Sequence, residues 1–362
     1  MSSVVTNDYV FNDVLAAGKT QATLANSQLG WESSKQFNLG IDLELLKGRF
    51  FISPELYVID TEDMLQGIDI PASSGFSNIQ ENIGKVRNKG LEVTMSGQIL
   101  TGKLKWNSDF NISVNKNEVL DLGNKSEIIV GWPFKTITTT GEPLGLFYGY
   151  KFLGLYENQQ QLDQASSPTS AIGTPRYEDV NGDGVISSSD HTIIGNPHPD
   201  FNWAMTNKFT YNGFDLSIQL AGSHGGDIFD IYRRHTVLAQ GFWSIEEGLS
   251  TRYRPTNPNL ETTYGRVTNP YDRMNQEINS VWVQDGSYVS IRHITLGYAL
   301  NSGFNKGSRL YLSAQNPFVF SNYKNGHPET AGFGETNSLQ QGINYGGYPL
   351  PQIFTLGLNF KL

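Results

Sequence analysis

The chain has 362 residues, of which 38% are hydrophobic and 12% are aromatic, and its net charge is −9. It contains no cysteine, which excludes disulfides, thiolate metal sites and a cysteine nucleophile, and no basic stripe suited to nucleic-acid phosphates is visible, so nucleic acid is not an expected partner. No run of 18 or more apolar residues occurs, which excludes a helical membrane span but allows membrane β-strands, since these need only about 10 alternating residues.

Alternation of apolar and polar residues with a period of two is the main periodic signal along the chain. The C-terminal segment shows it most clearly, with Phe354, Leu356, Leu358, Phe360 and Leu362 on one face. Together with the turn residues, this alternation predicts nine strands of membrane-spanning length. Their predicted ranges are 36–46, 49–60, 89–100, 103–115, 201–211, 213–223, 287–300, 308–318 and 351–362.

The connections between these strands alternate between short and long. Tight turns are predicted near 46–48, 100–102, 212–213 and 303–307, and long excursions follow residues 60, 115, 223 and 320. Outer-membrane barrels join strands by short periplasmic turns and longer extracellular loops in this succession. The strands of a soluble β-sandwich also alternate, but a sandwich gives no reason for the connection lengths to do so. The β-like stretch 143–156 would break this succession if it crossed the membrane, so we place it in an extracellular excursion over 116–200.

The sequence therefore predicts an all-β fold, a segment of an antiparallel transmembrane β-barrel with about nine spanning strands and long extracellular loops. Nine strands do not close a plugged barrel of about 22 strands. The strands at 36–46 and 351–362 would then both be unpaired edges. The N-terminus also lacks the basic and apolar regions of a secretory signal. We expect residues 1–362 to be the C-terminal part of a longer barrel protein, whose plug and N-terminal regions are absent from this sequence.

An acidic loop over 179–190 has the ligand spacing of a calcium-binding loop. In this interpretation side-chain oxygens occupy loop positions 1, 3 and 5, a carbonyl ligand position 7, a hydroxyl or a bridging water position 9, and a carboxylate position 12. A structural Ca²⁺ would neutralise the loop carboxylates, whereas the alternative is an ion-free turn cluster of Asn, Asp and Gly. The predicted ligands are Asp179, Asn181, Asp183, Val185, Ser187 and Asp190.

Several motifs, in order along the chain, resemble those of the SusC/RagA-type TonB-dependent transporters of Bacteroidota outer membranes. The segment Gly84 to Glu92 resembles the family pattern GxVxNKGxE, and the acidic loop with its following strand resembles a second family segment. Residues 285–298 resemble DGSYxRLxxxxLGY, with Ser290 where arginine is usual. Residues 315–318 and 326–329 resemble QNLF and GxDPE, with His327 in place of the usual aspartate.

The resemblance implies an importer in the outer membrane of a Gram-negative, Bacteroidota-type cell. Its substrate would be an oligosaccharide or a peptide, its lid a SusD-like surface lipoprotein, and its energy source TonB, acting through the N-terminal region outside this sequence. Outer-membrane lipid would surround the barrel wall. The alternative from another class is a secreted, calcium-stabilised, β-rich glycan-binding module.

The excursion over 224–286 holds the candidate contacts for the lid or the substrate, namely Phe242, Trp243, Tyr253 and Arg254. Aromatic faces stack well on sugar rings, although aromatic residues in barrels also form the interfacial girdle. No catalytic constellation is recognisable, because the six histidines lack zinc-ligand spacing and no nucleophile elbow is present. We therefore expect a protein that is not an enzyme.

Overall fold

A computed structural model of the chain describes most of its residues. The described ranges are 4–11, 13–21, 24–76, 78–82, 84–131, 134–164, 171–237, 246–265, 277–300, 307–329 and 338–360. Of the predicted elements, Phe242, Trp243, Leu362 and most of the turn at 303–307 lie outside them. No helix in these ranges is long and apolar enough to cross a membrane.

The described secondary structure is mostly antiparallel strand, numbered here in chain order. The strands are β1 Val4–Phe11, β2 Val14–Gln21, β3 Ser33–Gly40, β4 Leu43–Leu45, β5 Phe50–Glu62, β6 Leu65–Asp69, β7 Asn78–Asn82, β8 Lys85–Thr101, β9 Lys105–Asp121, β10 Glu127–Val130, β11 Lys135–Thr139, β12 Leu146–Gly149, β13 Phe152–Leu155, β14 Pro175–Tyr177, β15 Thr192–Gly195, β16 Pro199–Tyr211, β17 Phe214–Gly225, β18 Asp227–Asp230, β19 Val283–Asp285, β20 Tyr288–Ala299, β21 Arg309–Ser321, β22 Ile343–Asn344 and β23 Ile353–Asn359. The α-helices are α1 Gln159–Gln164 and α2 Tyr232–Val237, and short 3-10 helices lie at Ala72–Ser74, Ser188–Asp190, Glu247–Thr251 and Ser280–Trp282.

One ten-stranded antiparallel sheet organises the molecule. Its strand order is β23-β21-β20-β17-β16-β9-β8-β5-β3, with β4 pairing beside β3 on β5. Each strand therefore pairs with the spanning strands before and after it in sequence, and the predicted succession of short and long connections is confirmed. The sheet does not close within this chain, because β3 and β23 end the path of pairings.

The largest differences from the predicted strands lie at two places. Strands β8 and β9 run several residues past their predicted extracellular ends, to Lys85 and Asp121, because charged residues replace the apolar ones there while the ladder continues. The predicted first strand is divided into β3 and β4 opposite Pro54, which has no N–H to donate to the ladder. Leu46 and Lys47 then form the tight turn with positive φ values of 52° and 59°.

The outer face of the sheet is apolar and exposed, as a lipid-facing wall requires. Leu356, Leu358 and Phe360 at the C-terminal end are 75%, 47% and 63% exposed. A dry core between two stacked sheets would have buried these side chains, so the soluble-sandwich interpretation is wrong. The apolar rows continue across neighbouring strands, for example through Leu310 and Leu312, which lie opposite Leu358 and Leu356.

The inner face of the same sheet is polar. Asn38 donates to Glu55 Oε1 at 2.7 Å, and the hydroxyl of Tyr57 donates to Asn115 Oδ1 at 2.9 Å. Gly90, from the motif in β8, lies under Tyr57, and a Cβ there would come within 2.5 Å of the tyrosine hydroxyl oxygen. The tyrosine therefore requires glycine at this position, and the inner wall presents hydrogen-bonding groups rather than a hydrocarbon surface.

Aromatic pairs mark the end of the sheet that carries the tight turns. The rings of Phe214 and Tyr298 lie 4.5 Å apart, and those of Trp106 and Phe209 lie 5.5 Å apart. The four side chains lie on the outer face, beside the turns that follow β16 and β8. Aromatic residues at this level are typical of the girdle at a membrane interface.

Candidate functional site: a cap formed by the long excursions

Three long excursions at the opposite end of the sheet pack into one body with its own core. We call their described residues, within 122–198, 226–287 and 322–352, the cap. The core residues are 0–6% exposed, and Phe147 and Phe229 at its centre have ring centroids 5.2 Å apart. The core consists of Phe134, Phe147, Phe229, Ile231, Ile278, Trp282 and Ile343. Because all three excursions contribute, the cap forms only when segments far apart in sequence have met.

Three small sheets lie in the cap and carry three of these core residues, Phe147 on β12, Phe229 on β18 and Ile343 on β22. The first contains β10, β11, β12 and β15, the second β13 and β14, and the third β19, β18 and β22. The stretch 143–156 forms β12 and β13 and pairs outside the wall. In the third sheet β18 and β22 are parallel, with Phe229 opposite Ile343.

Buried polar contacts tie the three excursions together. Asp230 is 0% exposed, and its carboxylate accepts from Asn325 Nδ2 at 2.6 Å and from Gln284 Nε2 at 3.2 Å. Burial raises the pKa of Asp230 above its usual range. Thr136 Oγ1 donates to the carbonyl oxygen of Leu339 at 2.6 Å. The bonds of Asp230 with Asn325 and of Thr136 with Leu339 join residues from different excursions, so polar as well as apolar contacts hold the cap together.

The cap is also tied to the wall. Arg292, on β20, forms a short ion pair with Glu329 in the third excursion, and the backbone N–H of Glu329 donates to His327 Nδ1 at 3.2 Å. His327, the residue that differs from the family pattern, is 8% exposed. This position therefore holds the loop beside its anchoring ion pair.

The acidic loop lies between β14 and β15 and is held by its own backbone. The carboxylate of Asp179 accepts from the backbone N–H of Gly184 at 2.8 Å. Asn181 Oδ1 accepts from the backbone of Asp183 at 2.9 Å, and Asp183 Oδ1 accepts from that of Val185 at 2.8 Å. Gly184 has a φ of +81°, which favours glycine, as expected for the sharp turn at loop position 6.

Asp190, at loop position 12, closes the loop from inside. It is 0% exposed, and its carboxylate oxygens accept from the backbone N–H of Val180 at 3.0 Å and of Ser187 at 2.7 Å. The Ser187 hydroxyl oxygen in turn accepts from the backbone of Ser189 at 3.2 Å. The two ends of the loop are thus joined through one buried carboxylate.

The oxygen atoms of this loop are of the type, and in the sequence order, that a hard cation such as Ca²⁺ requires of its ligands. A carboxylate oxygen has two lone pairs, so accepting one backbone hydrogen bond leaves capacity for a metal ion. Within the described ranges, however, no group of three or more His, Asp or Glu side chains is gathered as metal ligands are. The predicted ligands share one loop, but their carboxylates are not gathered around a common point. The bound ion therefore stays a prediction.

An aromatic cluster joins the end of the acidic loop to the cap. The ring of Tyr150, 5% exposed, lies 4.9 Å from that of Tyr177 and 4.4 Å from that of His191. Burial raises the pKa of Tyr150 to about 12. Burial, together with the charge of Lys135, lowers the pKa of His191 to about 4. His191 is therefore neutral at neutral pH and packs as an aromatic ring.

The candidate lid or substrate contacts are separated in the structure. Tyr253 is only 7% exposed, and its ring packs against Gly173 in the first excursion. Arg254 is exposed, on a turn where the backbone N–H of Asn257 donates to its carbonyl oxygen at 3.0 Å. Phe242 and Trp243 lie outside the described residues. Tyr253 thus contributes to packing within the cap, and a contact role for the other three stays a prediction.

The buried carboxylate Asp230 and the core position Phe229 were not singled out from the sequence. Both belong to a short strand without an extended alternating pattern. The sequence offered one signal for a buried carboxylate here, namely that Asp230 lies between the apolar residues Phe229 and Ile231.

The chain matches the family model "TonB dependent receptor-like, beta-barrel" over residues 5–317. It therefore belongs to the TonB-dependent receptor β-barrel family, whose members are outer-membrane β-barrel proteins. This placement confirms the predicted membrane location and excludes the secreted binding module.

Curated relatives agree with this assignment. TonB-dependent receptor P3 of Formosa agariphila is 33% identical over 97% of this chain and 36% of its own length. TonB-dependent receptor SusC of Bacteroides thetaiotaomicron is 27% identical over 99% of this chain and 35% of its own length. The chain therefore spans about a third of the length of these relatives.

Solved structures share the fold. A structure of the RagAB peptide transporter matches with a TM-score of 0.81 and 20% identity, over 99% of this chain and 38% of that one. A second structure, of the RagAB peptide importer in its closed-closed state, matches with a TM-score of 0.78 and 21% identity. The wall and cap thus have the arrangement of a SusC/RagA-type barrel, and the predicted resemblance is confirmed.

Proposed function

We propose that this chain supplies barrel wall and an extracellular cap to a TonB-dependent importer of oligosaccharides or peptides. The observation that carries the proposal is the cap, a body with its own core on the extracellular end of a lipid-facing wall. Loops placed by a rigid wall are where binding function concentrates. The solved structures of the RagAB peptide transporter support a peptide substrate, and the resemblance of the motifs to SusC/RagA-type transporters supports an oligosaccharide or a peptide. The family supports transport over catalysis.

We further propose that the cap docks a SusD-like surface lipoprotein and that TonB acts through a region of the full protein outside these residues. A packed cap offers a partner a preformed surface, which lowers the entropic cost of association. Arg254, exposed on its turn, is the described candidate contact.

The test is uptake of labelled oligosaccharides and labelled peptides by cells that carry or lack the complete gene. We expect one substrate class to accumulate only in cells with the gene, and accumulation to stop when the proton gradient is collapsed. A tagged full-length protein should co-purify with a surface lipoprotein. Equal uptake with and without the gene for both substrate classes would contradict the proposal.

A second proposal is that the acidic loop binds Ca²⁺ as a structural ion. The ligand spacing, the turn at Gly184 and the free lone pairs of its carboxylates support it. Asp179, Asn181 and Asp183 would bind through side chains, Val185 through its carbonyl, and Ser187 and Asp190 would complete the shell. The ion would cancel carboxylate repulsion and stiffen the loop.

We expect Ca²⁺ to protect the loop from proteolysis in the full-length protein, with a dissociation constant of about 0.1–1 mM, as in extracellular modules. Terbium offers a direct readout, because Tyr156 and Tyr177 line the same cleft as Asp179 and can sensitise its luminescence. The double variant Asp179→Asn/Asp183→Asn should lose both effects, whereas Asp163→Asn, on helix α1 in the same excursion, should keep them. Protection that persists in the double variant would place the ion elsewhere.

A further inference from the structure

The lipid-facing side of β3, β5, β8 and β9 changes character near the extracellular end. The cross-strand register places apolar residues in one row, made by Leu39, Leu56, Leu91 and Val114. The next row toward the cap is Phe37, Val58, Lys89 and Lys116, and the row after it is Lys35, Asp60, Arg87 and Glu118. Because side chains two residues apart share a face, the charged rows continue the lipid-facing side directly.

We call the charged residues at this level the basic rim. Five cations belong to it against four carboxylates, a small excess of positive charge on a chain whose net charge is −9. Its members are Lys35, Lys85, Arg87, Lys89 and Lys116, with Asp60, Glu62, Glu118 and Asp121.

Most of the rim is paired internally. The carboxylate of Asp60 forms ion pairs with Arg87, at 2.7 Å, and with Lys85, at 3.6 Å. The carboxylate of Glu62 forms ion pairs with Lys35 at 2.8 Å and with Lys85 at 2.7 Å. These two carboxylates therefore hold Lys35, Lys85 and Arg87, the cations furthest from the apolar row, in ion pairs.

The two lysines nearest the apolar row are arranged differently. Lys89 and Lys116 lie directly opposite each other on β8 and β9. Lys89 reaches Glu118 only at 3.6 Å, and among the described residues Lys116 has no ion pair. Like charges directly opposite on neighbouring strands destabilise a sheet. An anion held between the two ammonium groups would remove this repulsion.

We propose that Lys89 and Lys116 bind the phosphate of an anionic lipid in the outer leaflet of the membrane. A lipid whose acyl chains contact Leu91 and Val114 places its headgroup one row higher, about 7 Å along the strand, at the level of the two ammonium groups. Long lysine side chains reach the headgroup region while their stems stay on apolar surface. Each cation near an anionic membrane surface strengthens binding.

This inference rests on the outer-membrane placement that family membership shows. It does not depend on the transported substrate. A lipid bound here would stabilise the part of the wall formed by β8 and β9, below the cap. Uptake of the substrate would not depend on this lipid. The experiment below therefore separates the two proposals.

The test uses the full-length protein in mixed micelles of neutral detergent and labelled monophosphoryl lipid A. We expect Lys89→Gln/Lys116→Gln to weaken lipid binding roughly thirtyfold. The matched control is Lys103→Gln/Lys105→Gln, which makes the same charge change at the other end of the β8–β9 hairpin and should bind like the unaltered protein. Equal loss in both variants, or no loss in the rim variant, would overturn the proposal.

Stability in neutral detergent without lipid gives a second, independent readout. Removing the repulsion should leave Lys116→Gln at least as stable as the unaltered protein, and only the lipid-dependent gain in stability should disappear. A fall in stability without lipid would mean that Lys116 acts within the protein, against the proposal. Inorganic phosphate should not reproduce the gain, because it lacks the acyl chains that contact the apolar row. An equal gain with inorganic phosphate would show a free-anion site instead of a lipid site.

Discussion

Truncation of Phe229 to alanine is expected to open the cap while the barrel wall stays folded. Phe229 is 0% exposed and packs against Phe147 and, across the strand pair, Ile343, so the change removes the ring at the point where the three excursions meet. Phenylalanine-to-alanine changes in cores cost about 3–5 kcal/mol. A cap assembled from loops has little additional stability to offset such a loss.

Hydrogen exchange of the full-length protein in detergent would measure this effect. Amides of β11, β12 and β18 should exchange much faster in the variant, and those of β16, β17 and β20 should keep their protection. The matched control is Phe354→Ala, whose ring is 68% exposed on the lipid-facing side and should leave the cap unchanged. Uniform loss of protection through the wall would show that cap and wall unfold as one unit.

Replacing Met95 with arginine is expected to destabilise the wall by about 2–4 kcal/mol, the cost of a cation near the bilayer midplane. Met95 lies on the outer face, opposite Ile52 and Phe110, about midway between Lys89 and the tight turn that follows β8. Unfolding of the full-length protein in lipid vesicles by denaturant would measure the change.

The adjacent residue provides the control. Thr94 points to the opposite face, opposite Ser53 and Asn111, among polar neighbours. Thr94→Arg introduces the same charge one residue away and should cost far less. If the two variants lose equal stability, the assignment of the outer face to lipid is wrong.

Family membership and the continuous lipid-facing wall together define this chain as part of an outer-membrane β-barrel protein. The wall holds the cap in place, and the cap presents a surface on which a partner could bind. The ion pair between Arg292 and Glu329 joins the two. The acidic loop lies within the cap, between β14 and β15, and not where the cap meets the wall. An ion there would act on the shape of the presented surface.

The wall was predictable because its signal is local. Alternation in segments such as 354–360 sets which face is apolar, and turns such as the one at Asn212 and Gly213, with φ values of 47° and 85°, set where strands reverse. Both depend on residues close in sequence, so strand number, order and the succession of connections could all be inferred. The extra length of β8 and β9 was missed because the charged rows of the basic rim carry no apolar period.

The sequence by itself determined the class of fold, the sidedness of the sheet and the loop with calcium-type spacing, since each is written in neighbouring residues. The tertiary structure decided the cap. Contacts such as Thr136 with Leu339 and Asp230 with Asn325 join residues far apart in the chain. No periodic pattern in the sequence predicts such contacts, because they form only where separate excursions meet at one end of the sheet. The pairing of Lys89 with Lys116 likewise became visible only through the register of two strands.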